Sequence, residues 1–152
     1  MCQCIGGKRT MMISTRGRYA LRVLIDLAEH ADGGYIPMKE VAARQEISLK
    51  YLERILPELT KSGMIEGQQG KGGGYRLLKA PDETNVYEIL KLTEEELAPV
   101  ACLADGAKPC DREAECRTLP MWQKFHEITK AYFTGITLAD LMQTDEGNMY
   151  VI

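Results

Sequence analysis

The 152-residue sequence has no long apolar run: its uninterrupted hydrophobic stretches are a handful of residues, far short of the ~20 that a membrane helix requires. Its opening, "MCQCIGGKRT", lacks the apolar core of a signal peptide. A cytoplasmic protein with no membrane partner is therefore expected. Histidine is scarce too, with only His30 and His126, and no Ser/His/Asp or Cys/His arrangement can be placed. Enzymatic activity is not expected. The two histidines read instead as a helix-end residue and a surface or core residue. The length suits one compact domain with a modest core, or a small domain with an appended element, and leaves no room for two full domains.

Cysteine is rare outside one stretch. Of five cysteines, three fall within "CLADGAKPCDREAEC", from Cys102 to Cys116. In a reducing compartment an odd count does not suggest a disulfide framework, so clustered thiols read as metal ligands or redox-active groups. Cys2 and Cys4 stand apart in a leader, residues 1–11, expected to be disordered with incidental thiols. Thiolates are soft ligands that favour zinc, copper(I) or iron-sulfur clusters, and a loop with glycine and proline can wrap a metal centre where a helix could not. Structural zinc sites pair ligands across two to four residues, whereas the spacing here is C-x7-C-x5-C. Such gaps suit a wider centre of two or more irons. Three cysteines leave a fourth coordination position to be filled.

The net charge of −3 hides a strong asymmetry: residues 1–80 hold 13 Lys+Arg against 8 Asp+Glu, and residues 81–152 hold 6 against 14. A basic front half and an acidic rear half allow one side to face phosphates.

Hydrophobic spacing organises the chain as a mainly α protein with a small β hairpin. In "STRGRYALRVLIDLAEHA", Ala20, Leu24, Leu27 and Ala31 share one helical face. After "DGGY", Pro37 suits a first helical turn, and "MKEVAARQ" is a second helix offering Val41 and Ala42 to the core. Ser48 is a candidate N-cap for a third helix with Leu49, Leu52, Leu56 and Leu59 as its buried stripe. Pro57 lies inside it, so a kink, a break or an early stop is expected. "MIEGQQ" and "YRLLKA" read as strands around the tip "GKGGG". This is the parts list of a winged helix-turn-helix over residues 12–81. In residues 82–152, a fourth helix "VYEILKLTEE" leads into the cysteine loop. A long helix then begins near Pro120 and carries Met121, Phe125, Ile128 and Tyr132 in one stripe, widened by Trp122 and Phe133. Gly135 suits its end, and Thr137 with Asp140 resembles a capping box. So aromatic a stripe points to dimerisation, or alternatively to packing back on the first helix.

On the third helix, the face opposite the leucines presents Ser48, Lys50, Tyr51, Glu53 and Arg54. In a helix-turn-helix that face enters the major groove. Lys and Arg favour guanine acceptors, Glu accepts from the cytosine amino group, and Tyr51 and Ser48 suit phosphate. At the wing, Gln68, Gln69, Lys71 and Arg76 surround glycines that allow close approach to a backbone. "GQQGKGGG" is no P-loop, because Gly72 stands where Ser or Thr must follow the lysine. Arg16 and Arg18 on the first helix add charge that can reach phosphates.

"ISTRGRYALRVLIDLA", "ISLKYLERILPELTKSGMI", "GKGGGYRL" and a three-cysteine loop ahead of a long helix ending "GITLADLM" together resemble the iron-sulfur cluster regulator family of winged-helix transcription regulators. That family includes the regulator of cluster assembly, the nitric oxide-sensing repressor, the iron-responsive repressor of rhizobia and the cysteine-metabolism repressor. The resemblance runs from about Met12 to the C-terminus. It implies a homodimer that binds a palindromic operator in double-stranded DNA and carries an iron-sulfur cluster beside the dimerisation helix. Carried over by position, Cys102, Cys110 and Cys116 are the cluster ligands, Ser48, Lys50, Tyr51 and Glu53 fall in the recognition helix, and Gln69 and Lys71 at the wing.

Two departures matter. The cluster-assembly regulator has a histidine three residues after its third cysteine, where this chain has Leu119. The nitric oxide sensor uses a first-helix aspartate, where this chain has Arg18. The fourth ligand is left open among His126, Asp105, Asp111, Glu115, a residue of the partner subunit and a small molecule at an open iron. A 2Fe-2S cluster is favoured, with 4Fe-4S as the alternative. The expected mechanism couples cluster state to DNA affinity through the order of the cysteine loop and the base of the long helix. Competing readings are a regulator of the same fold that senses zinc, thiol oxidation or a protein partner, and an iron-sulfur scaffold or carrier. The basic winged helix counts against the last.

Overall fold

Ser14 opens the first helix: its side chain accepts from the Gly17 N–H at 3.1 Å, satisfying one of the donors a helix start leaves unpaired. From there the computed structural model describes residues 13–142. The expected leader with Cys2 and Cys4 lies outside the described residues. The elements are α1 (Thr15–Glu29), α2 (Met38–Gln45), α3 (Leu49–Lys61), β1 (Ile65–Gln68), β2 (Gly74–Leu77), α4 (Val86–Thr93), α5 (Leu119–Thr134) and α6 (Leu138–Leu141).

Leu24 and Leu27 of α1, Val41 of α2, and Leu52, Ile55 and Leu59 of α3 are buried in one cluster with Ile65, Ile89 and Leu138. Ala31 does not join them; α1 ends at Glu29, and Ala31 is exposed beyond it. Leu49 is only half-buried, and Ile55 takes the place expected for it. Ser48 caps α3 as expected, accepting from the Tyr51 N–H at 3.2 Å. Pro57 neither breaks nor shortens α3, which continues to Lys61. The reason is energetic: an interior proline costs about 3 kcal/mol, while Ile55, Leu56 and Leu59 on either side are buried, each contributing roughly 1.5–3 kcal/mol.

β1 and β2 pair antiparallel, from Ile65 opposite Leu77 to Gln68 opposite Gly74. The segment before α2 adds a third line of pairing, because Ile36 and Tyr75 exchange both backbone hydrogen bonds at 2.9 Å. That close approach requires Gly74, whose φ is +147° and where a Cβ would lie 2.2 Å from the Ile36 carbonyl oxygen. The wing is thereby pinned to the start of α2.

After α5 the chain returns to the front half. The Leu138 N–H donates to the Thr84 carbonyl and the Val86 N–H to the Ile136 carbonyl, both at 2.9 Å, while Thr137 and Asp140 form the expected capping box. α5 itself buries no residue. Its stripe stands out from the fold, with Met121 54%, Phe125 44%, Ile128 58% and Tyr132 58% exposed. Packing of that stripe back on α1 is therefore not what the chain adopts.

Candidate DNA interface and thiol site

Ser48 at the start of α3 and Lys50, Glu53 and Arg54 on its first turns are exposed to solvent. Tyr51 differs: it is half-buried and meets Tyr19 edge-on at 5.2 Å between ring centres, with Arg22 over the Tyr19 ring. Gln69 and Lys71 are exposed at the wing tip. Arg76 is less available, since it pairs with Glu66 and lies 4.5 Å from the Tyr35 ring centre. Arg16 is also engaged, in an ion pair with Glu58 that ties α1 to α3. The Arg18 guanidinium donates to Thr15 Oγ1 at 3.1 Å and is exposed.

Sequence reasoning missed what holds this reading head in place. Asp26 is fully buried on the apolar face of α1 and accepts from Arg44 Nη2 at 2.7 Å, Arg44 Nε at 3.0 Å and Gln45 Nε2 at 2.9 Å. Burial pushes its carboxyl up, but the hydrogen bonds from Arg44 and Gln45 outweigh that and hold it below its ordinary value. The angle between α1 and α2 is thus locked by a charge-assisted fork. The available signal was an aspartate set between Val23 and Leu27 on an otherwise apolar face.

The cysteine loop contains two 3-10 turns, at Ala101–Leu103 and Glu113–Glu115. Cys102, Cys110 and Cys116 are in no disulfide, and all three line one hollow of about 210 Å³ with Leu103, Glu113 and Leu119. A second opening of about 590 Å³ reaches the same three thiols from the side of Arg112, Arg117 and Trp122. The Thr118 hydroxyl and backbone N–H lower the Cys116 thiol from its ordinary value, with Sγ 3.6 Å from Thr118 Oγ1. Among the described residues no group of three or more His, Cys, Asp and Glu side chains is set to hold a metal ion. By their chemistry, the three thiols that share the hollow are soft donors of the kind iron-sulfur clusters take.

The candidates for a fourth ligand separate clearly. His126 lines a different small hollow, with Tyr87, Leu97 and Phe133 and no cysteine. Asp105 is paired with Lys91, whose hydrogen bond holds the carboxyl below its ordinary value. Asp111 lines neither thiol cavity, and Glu115 lines only the wider one. Glu113, which the sequence reading did not weigh, faces the narrower one.

The Rrf2 family, described as iron-dependent transcriptional regulators, matches residues 13–144. This chain belongs to the Rrf2 family. It is 34% identical over 136 residues to the HTH-type transcriptional regulator IscR of Aliivibrio salmonicida, covering 90% of this chain and 80% of that protein. IscR of Erwinia tasmaniensis is 33% identical, with 90% and 81% covered. Among solved structures, CymR, the global cysteine regulator of B. subtilis, superposes with a TM-score of 0.70 at 30% identity, covering 86% of this chain and 95% of that one. T. potens IscR superposes with a TM-score of 0.70 at 29% identity, covering 92% and 96%. The family resemblance and the winged-helix fold with a C-terminal helix are thus borne out. The chain is a DNA-binding transcription regulator and not an enzyme. Among its described residues, no helix is long and apolar enough to cross a membrane.

Proposed function

We propose that this Rrf2 regulator acts in the cytoplasm as a homodimer on a palindromic operator, with its DNA affinity set by an iron-sulfur cluster held by Cys102, Cys110 and Cys116. The observation that carries it is the convergence of the three thiols on one hollow at the base of α5. The names of its IscR relatives as transcription regulators and the family's description as iron-dependent support the reading. A 2Fe-2S cluster is favoured, with 4Fe-4S as the alternative; three thiolates and one further donor complete either. When bound, the cluster supplies a redox- and nitric oxide-sensitive crosslink between loop segments.

The chain's own contacts link that loop to the reading head. The Asp105 carboxylate pairs with Lys91 of α4, and its N–H donates to Glu96 Oε2 at 3.1 Å. Glu96 Oε1 in turn accepts from the N–H groups of Leu97 and Ala98 at 2.9 and 2.8 Å. Next along the chain, Glu94 Oε1 accepts from the Ser14 N–H at 3.0 Å and the Ser14 hydroxyl at 2.9 Å, gripping the start of α1. Two residues on, Arg16 pairs with Glu58 of α3. These contacts form a route by which order in the cysteine loop would reach the recognition helix through α4 and α1. Lys50, Glu53 and Arg54 read bases there. Ser48, Tyr51, Gln69, Lys71, Arg16 and Arg18 position the protein on phosphates, Arg16 at the cost of its pairing with Glu58.

Protein purified without oxygen should be coloured and contain iron and acid-labile sulfide, and Cys102→Ala, Cys110→Ala or Cys116→Ala should each remove most of both. Colourless protein binding one zinc per chain would replace this reading with zinc sensing. Three thiols in no disulfide around one hollow also suit a second alternative, thiol oxidation without a cluster, which predicts metal-free protein whose DNA binding changes with peroxide.

A further inference from the structure

The stretch from Cys110 to Cys116 reads C-x2-E-x2-C, with Glu113 at its centre. Two successive turns fold it: the Glu113 N–H donates to the Cys110 carbonyl at 3.0 Å, and the Cys116 N–H donates to the Glu113 carbonyl at 3.2 Å. Glu113 opens the 3-10 turn Glu113–Glu115, with Cys116 as its cap and Cys110 three residues before it, and all three line the narrower hollow together with Cys102. Two intervening residues is also a donor spacing found in iron-sulfur loops.

Charge separates Glu113 from its acidic neighbours. No Lys, Arg or His among the described residues lines its hollow, and Leu119 offers no donor there. Glu115 instead faces the wider opening beside Arg112 and Arg117, two guanidinium groups suited to carboxylate pairing. Asp105 is already paired with Lys91. Resting on the cluster reading above, we infer that Glu113 is the fourth ligand, one carboxylate oxygen completing the set begun by Cys102, Cys110 and Cys116. A carboxylate is a harder ligand than a thiolate, so the Glu113 corner is the one that exchanges first and opens the site to small reactive molecules.

The test uses the full chain, reconstituted without oxygen, with the variants Glu113→Ala, Glu113→Cys, Glu115→Ala and Asp111→Ala. Iron and sulfide content, the visible spectrum, the paramagnetic resonance of the reduced protein and the rate of bleaching by EDTA are measured. Circular dichroism checks that each variant is folded. Glu113→Ala should bleach about tenfold faster or more, in line with the loss of affinity expected from an altered coordination shell, and should change the resonance g values. Glu113→Cys should restore retention and shift the charge-transfer absorption, because a thiolate replaces an oxygen donor. Glu115→Ala and Asp111→Ala should match the parent. A Glu113→Ala protein with the parent's spectrum and bleaching rate overturns the assignment, as does an equal effect from Glu115→Ala. A parent chain that takes up no iron and sulfide overturns the cluster reading itself, and that failure is visible before any variant is compared.

Discussion

Among the described residues, every buried hydrophobic side chain but Leu138 lies between Ala20 and Ala98, while α5 buries none and the cysteine loop contributes none. The reading head is held by one core, where α1, α2, α3 and the wing share a cluster with Ile89 of α4 and Leu138 of α6, and a second, smaller cluster of Val86, Leu90 and Leu97 packs α4 against Phe133, Ile136 and Leu141. The cysteine loop and the outer face of α5 lie outside both, and the loop keeps its shape through short-range turns and the bonds of Asp105 to Lys91 of α4 and to Glu96. A region without a core of its own responds most to whatever it binds, because little else fixes it. The difference fits the roles proposed above, a stable reading head and a receiver ordered by ligand and partner.

The largest expected effect lies in the receiver. Replacing Phe125 and Ile128 together by Asp should convert dimers to monomers at micromolar concentration in sedimentation, while the winged helix still unfolds cooperatively. A parent protein that sediments as a monomer would break the comparison at once, since the exposed stripe would then have no role. In the reading head, Leu59→Ala should cost about 2–5 kcal/mol in urea unfolding, as truncation in a packed core does. Met121→Ala, made in the monomeric background, should stay within about 0.5 kcal/mol.

Two variants on the DNA side sharpen the distinction between positioning and reading. Lys71→Ala should weaken binding to matched and mismatched palindromes alike and lower the salt slope by about one unit. Glu53→Ala should instead relax discrimination by roughly 1–3 kcal/mol at one base pair per half-site, with total affinity kept or raised. Equal losses on both palindromes for Glu53→Ala would show that the recognition face is misplaced. The smallest effect concerns acid. Because the Asp26 carboxyl is held below its ordinary value in the folded chain, its contribution is present above about pH 4 and is lost as pH falls through the folded value. Asp26→Asn should flatten the stability-against-pH curve there by at most about 1.4 kcal/mol per pH unit, measured by urea unfolding at stepped pH.

Much of the reading head was legible from the residues because its determinants are local. Ser48 and Thr137 cap helices through bonds to residues three positions on, and the apolar stripes of α1 and α3 follow helical periodicity. The thiol site was half legible. Three cysteines in fifteen residues point to a thiol site, but its fourth donor reads from the sequence as His126, Asp105, Asp111, Glu115, a residue of the partner subunit or a small molecule. Glu113 was passed over because the spacing of cysteine to cysteine was read, and the spacing of cysteine to glutamate was not.

By itself the sequence determined which residues cap α1, α3 and α6, which faces are apolar, that thiols cluster, and that charge divides between the halves, since each is set by residues within a few positions of one another. Only the tertiary structure decided that α3 runs through Pro57, that Asp26 is buried against Arg44, and that the α5 stripe stays outside the core. It also decided that Glu94 grips Ser14 across 80 residues and that Arg16, which reads as a free charge, is paired with Glu58. Those outcomes turn on contacts between elements far apart in the chain, where burial by neighbours outweighs local preference, and periodicity along one helix carries no record of which neighbours arrive.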